Sequence, residues 1–179
     1  MKMSDGEKLI VLMLTELYES LGINGEIDPE FIRSSIFSDE IWGIPFKYHG
    51  IRFDSDQLPP LATEVFDILD LWRLIETSYE RLSDSDKSIL GENVHNFCVP
   101  PKFPGFDGNH ESDYMGTAHY IVEHLERFEE FKGRIPNTHT RIVGRYKQMI
   151  SMLTGIRAKN DYGLLSVDEL AELLNLLSA

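Results

Sequence analysis

Leu61-Ala-Thr-Glu-Val-Phe-Asp-Ile-Leu-Asp-Leu-Trp-Arg-Leu-Ile-Glu-Thr-Ser-Tyr-Glu-Arg-Leu82 is the stretch that decides the fold class. Val65, Ile68, Leu69, Trp72, Ile75, Tyr79 and Leu82 recur at intervals of three and four, which gathers them on one face of a helix; a strand would need strict alternation. Asp67, Asp70, Arg73 and Glu80 fall on the other side, as a solvated face requires. Pro59 and Pro60 introduce the segment, and proline suits a first turn because its missing N–H would have no intrahelical partner there. This is the expected central helix.

Working outward toward the start of the chain, Ser4 and Glu7 have the spacing of a capping box. Ile10, Met13, Leu14, Leu17 and Leu21 follow at helical spacing, and Gly22 is a natural stop. Val11 and Leu12 widen the apolar surface beyond one stripe, so this first helix is expected to be either deeply buried or covered by a second subunit. Asp28-Pro29 opens a second helix to about Phe37 that buries Phe31 and Ile32, with a further turn over Ser38 to Trp42. Pro45-Phe-Lys-Tyr-His-Gly-Ile-Arg-Phe53 alternates aromatic and polar residues around His49-Gly50, which admits a short β-hairpin over 45–53. Asp54 to Pro60 reads as a polar connector.

Beyond the central helix, Ser83 to Asn96 is polar, with a short helix beginning after Ser83 or Asp84. Val99-Pro-Pro-Lys-Phe-Pro-Gly-Phe106 excludes regular structure and favours a stiff loop. A helix from about Asn109 to Lys132 is expected to turn Ala118, Ile121, Val122, Leu125 and Phe128 inward, ending at Gly133 and Pro136. Asn137 or Thr138 then caps a basic helix over 138–153 whose inner face is Ile142, Tyr146, Met149, Ile150 and Leu153. Gly155 to Gly163 reads as a linker. Ser166 and Glu169 form a second capping box before a last helix that aligns Leu170, Leu173, Leu174 and Leu177. The expectation is an all-α, multihelical array or bundle in a single domain over 1–179, with 164–179 as a C-terminal oligomerisation helix.

The 179 residues are 42% hydrophobic and carry a formal charge of −13. That is enough apolar material for a core, and no run approaches the roughly 18 residues of a membrane span. Acids flank the apolar run Leu9 to Leu14 and no small-residue cleavage site follows, so secretion is not expected. The lone Cys98 fits a reducing compartment, and it has no nearby base to activate it. A cytoplasmic protein without a membrane partner is expected. The negative charge disfavours nucleic acid. It is unevenly spread, however: Gly133 to Asn160 holds no Asp or Glu, whereas Arg134, Arg141, Arg145, Lys147, Arg157 and Lys159 lie within it. The simplest account pairs this segment with Glu123, Glu126, Glu129 and Glu130, within the chain or across an oligomer interface.

Two residue groups carry candidate chemistry. In Gly105-Phe-Asp-Gly-Asn-His-Glu111, the acids Asp107 and Glu111 flank His110 closely enough to hold a divalent metal or act as an acid and base pair, should the turn make them converge. The same residues suit plain structure: Asp107-Gly108 for a turn, Asn109 for a cap, Glu111 for the helix dipole. Arg141 and Arg145, one helical turn apart, could fork onto a carboxylate or phosphate. His119 and His124 are five apart and cannot form a two-histidine face, while His119 and Glu123 suit a surface pair; His49, His95 and His139 stand alone. No metal ligand set and no cofactor is assigned.

The order Phe103, Gly105-Phe106-Asp107, Glu111, Tyr114 and Gly116, followed by Arg145-Tyr146 and Met149, resembles the YfbU family of small bacterial proteins. Trp42 to Tyr48, Gly50, Ile51 and Val65 to Trp72 resemble it as well, so the likeness runs from about Gly6 to Leu153. Gly43-Ile-Pro-Phe46 departs from the family's pattern. The resemblance implies a multihelical protein that self-associates, and it implies no activity. The expected function is therefore that of a non-catalytic, self-associating interaction or regulatory protein with itself and other proteins as partners. The alternatives are a metal-dependent or hydrolytic enzyme centred on Gly105–Glu111, and an anion or nucleic-acid sensor built on the basic helix.

Overall fold

A computed structural model of the chain describes residues 2–53, 57–94, 99–158 and 163–177; the start of the expected connector at 54–56, His95, Cys98 and Lys159 lie outside them. Among the described residues the regular structure is helical, with no strand. The helices are α1 (Asp5–Ser20), α2 (Pro29–Phe37), α3 (Gly43–Lys47), α4 (Pro60–Arg81), α5 (Asp84–Asn93), α6 (Ser112–His119), α7 (Val143–Arg157) and α8 (Val167–Asn175). A π-helical turn, Tyr120–His124, continues α6, and a 3-10 turn covers Glu129–Phe131. The contacts sort into two compact units: Met1–Thr63 with Gly116–Lys132, and Glu64–Met115 with Gly133–Ala179.

In the first unit α1 begins at the expected capping box, with Glu7 N–H on Ser4 Oγ at 3.4 Å and Ser4 N–H on the Glu7 carboxylate at 2.7 Å. It ends where Gly22 takes a φ of +61°, Gly22 N–H reaching the Glu19 carbonyl and Ile23 N–H that of Tyr18. This is a Schellman stop, and it favours glycine because a Cβ is strained at that φ. Asp28 caps α2, accepting from Phe31 N–H at 3.1 Å.

The hairpin expected at 45–53 is absent, and α3 stands in its place. The aromatic spacing that suggested alternation serves helix packing: Trp42 and Phe46, four apart, meet edge to face at 6.1 Å. Gly43 lies so close to the Tyr120 hydroxyl that a Cβ would come within 1.9 Å of it, and Trp42 packs edge-on to the Tyr120 ring at 5.6 Å. Tyr120 also shares a hydrogen bond with Ser35 at 2.7 Å. A period-two reading could not anticipate that one buried tyrosine organises both α2 and α3.

Four further helix ends differ. The helix expected from Asn109 to Lys132 starts at Ser112 and leaves regular helix at His124, where Glu126 and Phe128 adopt left-handed backbone at φ +53° and +56°. Its inward residues are nonetheless right: Ala118, Ile121, Val122, Leu125 and Phe128 are all buried. The basic helix runs over Val143–Arg157 instead of 138–153, so the supposed linker from Gly155 begins as helix.

In the second unit α4 buries Val65, Ile68, Leu69, Trp72 and Ile75 as expected, and Leu71, Glu76 and Ser78 besides. The capping box at Ser166 and Glu169 forms, and α8 packs on α5 and α7 with Leu170, Leu173 and Leu174 buried. The leucine face of the last helix thus contributes to the unit's own core.

Candidate functional site

The loop from Phe103 to Glu111 is built around a buried aromatic cluster. Phe103 packs at 5.9 Å on Trp72 with the rings tilted at 45° and lies edge-on at 5.6 Å to Phe106, while Tyr146 meets Trp72, Phe103 and Phe106 at about 6 Å. Edge-to-face packing sets the positive ring edge against a neighbour's negative face, so it fixes orientation as well as burying area. The backbone is tied down in step. Phe103 N–H donates to Glu76 Oε1 at 2.8 Å, the Tyr146 hydroxyl donates to the Gly105 carbonyl at 2.8 Å, and Phe106 pairs with Pro136 and Thr138 through Phe106 N–H at 3.2 Å and Thr138 N–H at 2.9 Å. Gly105 sits at φ +84° with the place of a Cβ 1.8 Å from the Pro136 carbonyl oxygen, so no side chain fits.

Asp107, His110 and Glu111 do converge, but as a brace. Asp107 Oδ1 accepts from Asn109 N–H at 3.0 Å and Oδ2 meets His110 Nδ1 at 2.6 Å. Those bonds, Asn109 first, hold the carboxyl below the ordinary aspartate range against the opposing effect of desolvation. Glu111 Oε2 accepts from Asp107 N–H at 3.1 Å, and Oε1 accepts from Ile142 N–H at 2.8 Å and Val143 N–H at 2.9 Å. Helix α7 has no side-chain cap of its own, so Glu111 caps it from 31 residues away in sequence. A carboxylate there satisfies orphan amides and lies at the positive end of the helix dipole. Neither Asn137 nor Thr138 serves as that cap: Asn137 Oδ1 instead accepts from Gly108 N–H at 3.0 Å and His139 N–H at 2.9 Å, joining the two loops.

With both Glu111 oxygens and both Asp107 oxygens engaged, the loop's chemistry is that of a clasp. Among the described residues no three His, Cys, Asp or Glu side chains gather as a metal-ligating set. His110 is half-exposed above a fully buried Asp107.

Other ionisable groups of this unit also pair with α4. Glu76 Oε2 takes Arg134 at 2.6 Å and, more loosely, Lys102 at 3.7 Å. Lys147 contacts Glu64 at 2.9 Å and Tyr114 hydrogen-bonds the same carboxylate; the lysine bond first and the tyrosine second lower the Glu64 pKa, and Lys147 is raised in return. Within the second unit, Arg134 and Lys147 of the basic segment find partners on the central helix. Tyr146 is raised well above the usual phenol range by burial and then by the Glu111 charge. Trp72 Nε1–H has no acceptor at hydrogen-bonding geometry, although it lies near enough to the Tyr146 hydroxyl to offset part of that rise.

Arg141 and Arg145 occupy a different place. They line a cavity of about 380 Å³ in the second unit together with Trp72, Lys102, Leu174 and Leu177. None of Asp107, His110 and Glu111 belongs to that lining, so the two residue groups singled out in the sequence do not meet around one cavity. The cavity itself was not legible, because its walls come from α4, the proline-rich loop, the start of α7 and α8.

These features define an all-α, multihelical protein in which a loop clasped by Asp107 and Glu111 packs against the central helix α4 and caps α7, with no helix long and apolar enough to cross a membrane among the described residues. The YfbU domain model matches residues 41–176, well over half of the chain, and the chain belongs to the YfbU family. It is also 27% identical over 124 residues to the UPF0304 protein MJECS11 of Methanocaldococcus jannaschii, a match covering 65% of this chain and 64% of that protein. The chain thus spans less than two thirds of the length of that curated relative. No solved structure matches it.

Proposed function

We propose that this protein is a non-catalytic, self-associating interaction protein and that its contact surface is the outer face of α1. The observation that carries this reading is an unpartnered apolar stripe: Leu9, Ile10, Met13, Leu14, Leu17 and Leu21 are each between 53% and 68% exposed. At 3.6 residues per turn, these six centre about 125° around the helix from Val11, Thr15 and Tyr18, the side that packs toward α2. Ile10, Leu14, Leu17 and Leu21 alternate steps of four and three, the spacing of a helix-to-helix seam.

A second copy of the chain is the occupant this pattern suits. A two-fold axis lets one stripe meet itself, so a single run of residues supplies both halves of the contact. Apolar patches beyond a few hundred Å² on a protein surface mark such contacts. Burying the exposed half of each aliphatic side chain gains about 1 kcal/mol apiece, and six from each copy give roughly 12 kcal/mol, of the same order as the roughly 4–15 kcal/mol that association costs. Helix α1 precedes the family-matched residues 41–176, so this surface belongs to a part of the chain the family match leaves out.

Light scattering on a size-exclusion column tests it. The protein at tens of micromolar is expected to run at twice the chain mass, and a Leu14→Glu, Leu17→Glu double variant at the chain mass with its helical circular dichroism intact. A single-chain mass for the unaltered protein at that concentration refutes the proposal.

A further inference from the structure

We infer that the cavity between α4, α7 and α8 is a binding site for a small organic carboxylate with an apolar body. Its composition separates two roles. Trp72, Ile142, Leu174 and Leu177 make apolar walls, while Arg141, Arg145 and Lys102 are its charged members, and no Asp or Glu lines it among the described residues. In a chain of net charge −13, three cations around one concavity, with no Asp or Glu among its described lining residues, make a local positive field. The volume, about 380 Å³, lies in the range of small-molecule pockets.

The cations are also available. Arg141 has no ion pair or hydrogen bond among the described residues. Arg145 donates one N–H to the Leu177 carbonyl, which holds its planar head at the cavity wall and leaves its other donors without an acceptor among those residues. Lys102 is exposed and only loosely tied to Glu76, whose oxygens already serve Phe103 N–H and Arg134. A guanidinium fork fits a carboxylate with two parallel hydrogen bonds. The apolar walls then favour an anion with a hydrocarbon or aryl body over a bare, strongly hydrated ion such as phosphate. This site shares no residue with the α1 surface, so either can fail without the other.

The test uses the full chain with 4-phenylbutyrate as probe, 4-phenylbutanol as its uncharged counterpart and inorganic phosphate as the bare anion. Calorimetry gives affinities, and the indole N–H resonance of Trp72 reports occupancy. The expected result is saturable binding of 4-phenylbutyrate that moves the Trp72 resonance, with at least tenfold weaker binding of both controls. Arg141→Ala should weaken phenylbutyrate by about tenfold or more, the size of one charge-assisted hydrogen-bond pair, and Arg141→Lys by less. Arg141 is exposed and unpaired, so neither variant threatens folding. Equal affinity for 4-phenylbutanol, tighter binding of phosphate than of phenylbutyrate, no binding of phenylbutyrate at millimolar concentration, or an unchanged affinity in Arg141→Ala would each overturn the inference.

Discussion

Replacing Glu111 tests whether the loop is a clasp. Its carboxylate, 9% exposed as a residue, accepts from the amides of Asp107, Ile142 and Val143. Glu111→Ala strands all three donors. At about 1–3 kcal/mol for each buried unsatisfied amide, with some regained as water enters, the expected loss is roughly 3–5 kcal/mol. Glu111→Gln keeps the shape and is predicted to turn its carbonyl toward Ile142 and Val143, which sets its NH₂ against the Asp107 amide. That variant should lose about 1.5–3 kcal/mol, the value of one charge-assisted bond. With a urea slope of roughly 2 kcal/mol per molar, the midpoint should fall by about 1 M for glutamine and by roughly twice that for alanine. The readout is amide exchange in α7 and α8 as urea is raised, since two compact units need not unfold together. In Glu111→Gln the Asp107 amide should lose protection while Ile142 and Val143 keep theirs; in Glu111→Ala all three should lose it. An alanine midpoint within about 0.3 M of the unaltered protein, or continued protection of Ile142 and Val143 in that variant, would refute the tertiary cap.

Gly105→Ala should destabilise the second unit by about 2–4 kcal/mol, because its Cβ would lie 1.8 Å from the Pro136 oxygen at a φ of +84°; a denaturation midpoint equal to that of the unaltered protein contradicts this. Asp107 has a folded-state pKa depressed below 3.8. Its stabilisation is therefore full above the unfolded value and is lost as pH falls below about 4 through the folded value. Asp107→Asn should flatten the acid arm of the stability curve below pH 4 relative to the unaltered protein, as followed by circular dichroism. An unchanged acid arm would mean that the carboxylate's partners in the loop do not favour its charged form.

The helical character of this chain was legible in its residues. The three-and-four spacing from Val65 to Ile75, two capping boxes, the Asp28-Pro29 start and the Gly22 stop are local devices, encoded within a few positions, and each forms as read. The inward set from Ala118 to Phe128 was equally legible even though its helix ends early, because burial follows periodicity more faithfully than helix boundaries do. The clasp was half legible: Asp107, His110 and Glu111 stood out as an ionisable group in a stiff loop, and their types suited structure as well as chemistry.

What tertiary structure decided were the pairings of residues far apart in sequence. Helix α3 replaces a hairpin because Gly43 accepts the Tyr120 hydroxyl against its backbone, a contact across 77 positions. Glu111 caps α7 because the loop pairing of Phe106 with Asn137 brings that helix's free amides within reach. Arg141 and Arg145 face a cavity because α4 and α8 supply its apolar walls. Periodicity reports which side of an element avoids water, whereas only the packed chain specifies which distant groups share the dry space, and there the value of a hydrogen bond or a charge depends on its neighbours. The exposed stripe of α1 marks the same boundary: its spacing predicted a buried or partnered helix, and in the folded chain that face is exposed.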